Sequence, residues 1–211
     1  MKKLWTVVLL VALTCSLLVG CTKNDEEAIK QVITQFYQAG FNWDYQGMKD
    51  RVVPEFPIYD SYETTKNTYL DAVSHGFLVE ADLDKFIEAD REFERQRGES
   101  LAFSDWEIEV TGDVAVATVS TTGTNVDFAK LQDENGELAY RDELFLNICQ
   151  MDELTAKELL SPEEFSDVHL QVLIQEYQLW LDNLSTEKQR IEIQLRKDNG
   201  QWRIVGILPA E

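Results

Sequence analysis

Cysteine, histidine and proline are scarce in this sequence, and positive charge is short. Its 211 residues hold 3 Cys, 2 His and 4 Pro, and 19 Lys plus Arg stand against 39 Asp plus Glu. Two histidines, His75 and His169, with no cysteine pair at zinc spacing, make no tetrahedral zinc set. The acidic run Asp133-Glu134-Asn135-Gly136-Glu137 has turn composition, but it lacks the alternating ligands and distal Glu of an EF-hand loop. No metal or cofactor is therefore expected. A formal net charge of −20 leaves no basic surface to release phosphate counterions, so nucleic acid is not an expected partner. Acidic excess of this kind reads first as a soluble, self-repelling surface and only second as loose divalent-cation binding.

What is present at the start is a leader. Met1-Lys2-Lys3 is a short positive segment, and residues 4–20 carry no charge and are dominated by Leu and Val. Such a stretch reads as a signal-peptide core more readily than as a membrane span of about 20 residues. It ends in Leu18-Val19-Gly20-Cys21, which resembles the lipobox of bacterial lipoproteins. That resemblance implies a diacylglyceryl thioether on Cys21 and cleavage between Gly20 and Cys21. Two acyl chains hold a protein on a bilayer where one is marginal. The expected partition is a signal peptide over 1–20, a lipidated tether over 21–25 and a single domain over 26–211. Cleavage removes Lys2 and Lys3, which leaves 17 basic residues against 39 acidic ones, a charge of −22. The expected location is the extracytoplasmic face of a cell membrane, held by the lipid rather than by the acidic surface, which anionic headgroups repel. Cys15 leaves with the leader and Cys21 is occupied, so Cys149 remains alone and no internal disulfide is expected. A lone Cys149 reads as a small apolar side chain.

Along the domain, Asp25 precedes Glu26 and Glu27, and then Ile29, Val32, Ile33, Phe36 and Tyr37 recur at helical steps. Asp25 is the expected cap and Gly40 the expected stop. A short helix is predicted from Asp44 to about Val52, with further helices over 62–75 and 81–96. The period changes at Ser104. Trp106, Ile108 and Val110 alternate with polar residues, Thr111-Gly112-Asp113 turns the chain, and Val114–Thr122 is rich in Val and Thr, the pattern of a hairpin. Residues 142–149 lean to helix. Ser161-Pro162-Glu163-Glu164 signals a strong helix start, with the helix continuing to about Leu184. Ile191, Ile193 and Leu195 alternate up to Lys197-Asp198-Asn199-Gly200, and Trp202, Ile204 and Leu208 continue beyond it, a second hairpin on an Asn-Gly turn. Helices first and an antiparallel meander afterwards make an α+β order rather than βαβ alternation.

Three stretches carry a resemblance to the nuclear-transport-factor-2-like superfamily. They are Phe36-Tyr37-Gln38-Ala39 with Phe41-Asn42-Trp43-Asp44, the strand pair 106–110 and 114–119, and the closing hairpin around Asn199-Gly200. The resemblance covers about two thirds of the mature chain and extends to small Gram-positive lipoproteins of unknown function. It implies N-terminal helices packed on a curved, cone-like antiparallel sheet, with residues 123–185 as a helical insertion before the last hairpin. That fold hosts isomerases, dehydratases and many non-enzymes, so it does not name an activity. A binding domain needs only a concave apolar site, for which Phe36, Trp43, Trp106 and Trp202 are the candidate lining; the competing reading is that they fill the core. An apolar small ligand or an envelope protein is the expected partner, the latter through the 162–184 helix. An isomerase or dehydratase is the alternative and needs an acid or base, with Asp44, Tyr37, Tyr69 and His75 as candidates. The structural readings are an N-cap for Asp44, a helix C-terminus for His75 and a satisfied boundary position for His169.

Overall fold

The computed structural model describes residues 24–123, 125–132 and 140–210. The expected cleavage and lipidation positions, Gly20 and Cys21, lie outside the described residues, as does the acidic turn at 133–137. The architecture is α+β, with helices against one open four-stranded antiparallel sheet.

Helix α1 covers 24–41. Its apolar stripe faces the sheet, with Ile29 and Ile33 fully buried and Phe36 and Tyr37 packed beside them. Asp25, the expected cap, already lies within the helix. Its carboxylate reaches the closing hairpin instead, meeting Lys197 Nζ at 2.9 Å and accepting from Trp202 Nε1 at 3.0 Å. The Lys197 hydrogen bond, ahead of the opposing effect of burial, holds the Asp25 carboxyl below its usual range.

The sheet runs in chain order: β1 Ala102–Thr111, β2 Val114–Thr122, β3 Gln189–Asp198 and β4 Gln201–Pro209. Alternation sets its inner face, where Ile108, Ala117, Ile193 and Ile207 lie in one cross-strand row. Each of two strands holds an extra residue, β1 between Ser104 and Glu107 and β4 between Ile204 and Gly206. Such bulges bend a sheet and increase its twist. The Asn199-Gly200 turn has positive φ at both residues, as a primed two-residue hairpin requires.

The second layer is helical. It holds α3 Ser61–Ser74, α4 Leu83–Glu99, α5 Tyr140–Cys149, α6 Glu153–Leu159 and α7 Pro162–Asp182, whereas the short α2 Tyr45–Lys49 stays with the sheet, its exit at Val52 bridging to Ile204 of β4. Helices α5 to α7 fall between β2 and β3, as the expected insertion does. The predicted start of α7 is a complete capping box between Ser161 and Glu164. Phe145, Ala156, Phe165 and Val172 form this layer's core, and Cys149 packs on it with its thiol donating to the Phe145 carbonyl at 3.3 Å.

The buried face of α7 also carries polar groups. Ser166 Oγ donates to Asp82 at 2.7 Å. Arg141 joins Glu176 at 2.9 Å and Glu153 at 3.1 Å, and its Nη2 donates to His169 Nε2 at 2.7 Å. His169 in turn gives its Nδ1 hydrogen to the Phe77 carbonyl at 3.0 Å. Burial pushes His169 below its usual range, so this satisfied histidine is neutral.

The two layers meet where α1 ends against α4. A Cβ on Gly98 would stand 2.5 Å from Phe41 Cβ and 2.7 Å from its Cγ. Glycine to alanine inside a helix normally stabilises by up to about 1 kcal/mol. Here Gly98→Ala is expected to reverse that sign and cost about 1–3 kcal/mol as overpacking. A lowered urea midpoint is the expected reading; an unchanged or raised one would mean that Phe41 can step aside.

Candidate functional site

Helix α1 stops in an unusual way. Gly40, the expected stop, sits within the last turn. The chain turns at Trp43 instead, whose N–H donates to Gly40 O at 3.0 Å while Asp44 N–H donates to Ala39 O at 2.8 Å. That pair of bonds is a Schellman stop with its left-handed position at Trp43, φ 56°. Glycine usually occupies that position, and a side chain with a Cβ costs about 1–2 kcal/mol there. Asp44 then caps α2, accepting from Gly47 N–H at 2.8 Å.

This strained tryptophan forms part of the wall of a half-open cavity of about 540 Å³ between α1, α3, α4 and α7. Helix α4 contributes Asp90, Phe93, Glu94 and Arg97, which share one face at steps of three and four. Helix α7 supplies Tyr177 and Trp180, one turn apart. Tyr59, Ser61, Thr64 and Thr65 close the side next to α3. The aromatic wall is internally packed. Phe93 stacks on Tyr177 at 4.5 Å between centroids, and Trp180 stands edge-on to Phe93 at 5.7 Å. Trp180 Nε1 is satisfied by Tyr140 Oη at 2.9 Å.

Two carboxylates reach this wall. Glu94 pairs with Arg97 at 2.7 Å, and the guanidinium lies 5.3 Å from the Phe41 ring and 5.6 Å from the Phe93 ring. Asp90 has no cationic partner among the described residues. Its Oδ1 accepts from Tyr69 Oη at 2.8 Å and from Tyr177 Oη. Burial raises the Asp90 carboxyl, against the lowering effect of both hydroxyls. Burial likewise raises Glu94 and pushes both tyrosines far above the ordinary phenol range.

The four expected pocket aromatics are not brought together. Phe36 and Trp106 pack against the sheet core, and Trp202 is buried within it with its indole N–H on Asp25. Trp43 alone of the four lines the cavity beside α4 and α7. Of the acid–base candidates, Tyr69 stands behind Asp90. Tyr37 packs between Phe36 and Phe103. His75 is an exposed helix C-cap with Nδ1 on the Asp71 carbonyl at 2.9 Å. Asp90, Phe93, Tyr177 and Trp180 were not singled out as site residues. The available signal was Asp90 itself, an acid at helical spacing between the apolar residues Phe86 and Phe93. Among the described residues no group of three or more His, Cys, Asp or Glu is placed to hold a metal ion. Among them no helix is long and apolar enough to cross a membrane.

No family model matches this chain, and no curated protein matches it. A crystal structure similar to it is that of ycdA from Bacillus subtilis, a protein put forward as a lipoprotein. The identity is 16% and the TM-score 0.42, over 68% of this chain and 40% of that one.

Proposed function

We propose that this chain is a lipoprotein held by a lipid on Cys21 at the extracytoplasmic face of a membrane, and that its domain is a non-enzymatic small-ligand binder. The anchoring half rests on the order of positive start, apolar core and Leu18-Val19-Gly20-Cys21. The packing of α1 on a curved sheet is in keeping with a domain of the nuclear-transport-factor-2-like kind. The observation that carries the binding half is the aromatic cavity between α1, α3, α4 and α7. Its size falls within the range of small-molecule sites, and it sets five aromatic rings opposite an equally large polar lining from α3 and α4.

One observation favours the isomerase or dehydratase alternative. Asp90 is a raised carboxyl among aromatics, the setting in which general acids and bases occur. Its Oδ1 is committed to two hydroxyls, however, and neither raised tyrosine gives up a proton near neutrality. Binding is the reading this arrangement serves better.

Both halves are testable on the full chain. Cys21→Ala is expected to move the protein out of the membrane pellet and abolish lipid labelling; retention of both defeats the anchor. Native mass spectrometry from a non-ionic detergent is expected to reveal a retained small molecule that is absent from a Trp180→Ala sample. A ligand-free wild-type spectrum, together with no small molecule that shifts its unfolding midpoint, defeats the binding reading.

A further inference from the structure

We infer that the cavity between α1, α3, α4 and α7 takes an organic cation, a quaternary or protonated amine, held against its aromatic wall and the Asp90 carboxylate. The inference rests on the reading of this cavity as a binding site and adds the chemistry of its occupant.

Charge is the first argument. The charged side chains lining the cavity are Asp90, Glu94 and Arg97. Glu94 and Arg97 neutralise one another at 2.7 Å, and Arg97 lies over Phe41 and Phe93 as well. Asp90 is left with two neutral hydroxyl donors, both on Oδ1, and without a countercharge among the described residues. A half-buried carboxylate of this kind has unmet electrostatic demand, and a cation entering the cavity meets it. An anion meets the opposite net charge, because the Arg97 guanidinium already pairs with Glu94 through Nη2, although its buried Nε has no hydrogen-bond partner.

The second argument is the wall itself. Trp43, Tyr59, Phe93, Tyr177 and Trp180 come from four separate places in the chain and converge on one space. Aromatic faces attract cations through their quadrupoles, and tryptophan does so best. The protein already uses this contact nearby, with Arg97 on Phe93 and Phe41. An apolar ligand alone would find the same rings but would leave Asp90 facing it unpaired.

Trp43 supplies the third. A tryptophan in the left-handed region is a costly way to end a helix when glycine does it without strain. Strain of this sort persists where the side chain is needed, and binding sites are where it collects. The overall charge of −20 adds a general attraction that concentrates cations near the surface.

Calorimetric titration of the full chain in a non-ionic detergent tests this, with choline as probe and dimethylbutanol, its neutral carbon isostere, as control. Choline is expected to bind saturably, and dimethylbutanol about tenfold or more weakly by comparison. Asp90→Asn keeps an acceptor for both tyrosines and is expected to weaken choline about tenfold while leaving dimethylbutanol unchanged. Trp43→Gly is expected to weaken choline with an unfolding midpoint at or above that of the wild type, which separates lost contact from lost folding. Equal affinity for the two probes, or choline binding indifferent to Asp90→Asn, overturns the cation inference and leaves a cavity for neutral ligands. No binding of either probe, with a ligand-free native mass spectrum, overturns the binding reading as well.

Discussion

Gly123→Ala is expected to be among the most damaging single-methyl additions in this protein, at roughly 2–5 kcal/mol. Gly123 follows β2 with φ +84°, and its N–H donates to Ser185 O at 3.2 Å. An added Cβ would enter the van der Waals surface of the Ser100 carbonyl, at the C-cap of α4. Two costs therefore add: a left-handed backbone that alanine resists, and a clash with main chain that no rotamer relieves. Gly112 separates them. It also has positive φ, but a Cβ there would meet nothing within 4 Å, so Gly112→Ala is expected to cost only about 1 kcal/mol. Thermal unfolding is expected to show a fall of roughly 10 °C for Gly123→Ala and a few degrees for Gly112→Ala. Equal falls would show that backbone conformation, not the Ser100 contact, governs the site.

Arg141→Leu is expected to cost about 3 kcal/mol at neutral pH, the lower end of what breaking a buried pair from one side costs, because the Arg141 side chain is 31% exposed. It strips Glu176, whose side chain is 8% exposed, of its cation, and removes the donor to His169 Nε2. The pH dependence has a definite sign. Burial raises Glu176 above its ordinary value of 4.5, and Arg141 is the largest effect opposing that rise. A carboxyl raised in the folded state holds more protons there than in the unfolded chain. Its contribution is favourable below about pH 4.5 and is lost as pH climbs through the raised value. Without Arg141 the rise is larger, so the variant's deficit is expected to be smaller near about pH 4.5 than at about pH 7.5. Urea midpoints at those two pH values measure it. A deficit of the same size at both would exclude Glu176 as the group responsible. Adding Glu176→Leu is expected to restore much of the loss, because the uncompensated charge then disappears.

Those two sites also mark where the sequence stops being informative. The α+β order, the α7 capping box, the Asn199-Gly200 turn and the alternation in β1 to β4 rest on residues within a few positions of one another. Local chemistry writes them legibly. The buried face of α7 does not work that way. Nothing local marks Ser166 and Glu176 as buried, because their partners, Asp82 and Arg141, are distant in the chain. Gly40 was the natural stop for α1, and only the packing around Trp43 makes a tryptophan take the left-handed position. The cavity was half legible: Trp43 stood out as an aromatic and Asp90 carried a local sign in its spacing between Phe86 and Phe93, but nothing local places Tyr69 and Tyr177, distant in the chain, on its carboxylate. Phe36, Trp106 and Trp202 had the composition of a pocket, but α1 and the sheet use them as packing.

The contact of Asp25 with Lys197 and Trp202 has a consequence for which way the molecule points. With a lipid on Cys21, Asp25 is four residues from the bilayer anchor, a leash of at most about 14 Å however the chain runs. On the proposed anchor, this end of α1, with the β3–β4 turn fastened to it, would lie within that leash of the bilayer. Sixteen residues of helical rise carry the chain from Asp25 to Phe41, just before Trp43, a distance of ~24 Å. An upright α1 would lift the mouth of the aromatic cavity well clear of the headgroups, facing whatever diffuses through the envelope rather than the lipid beneath it.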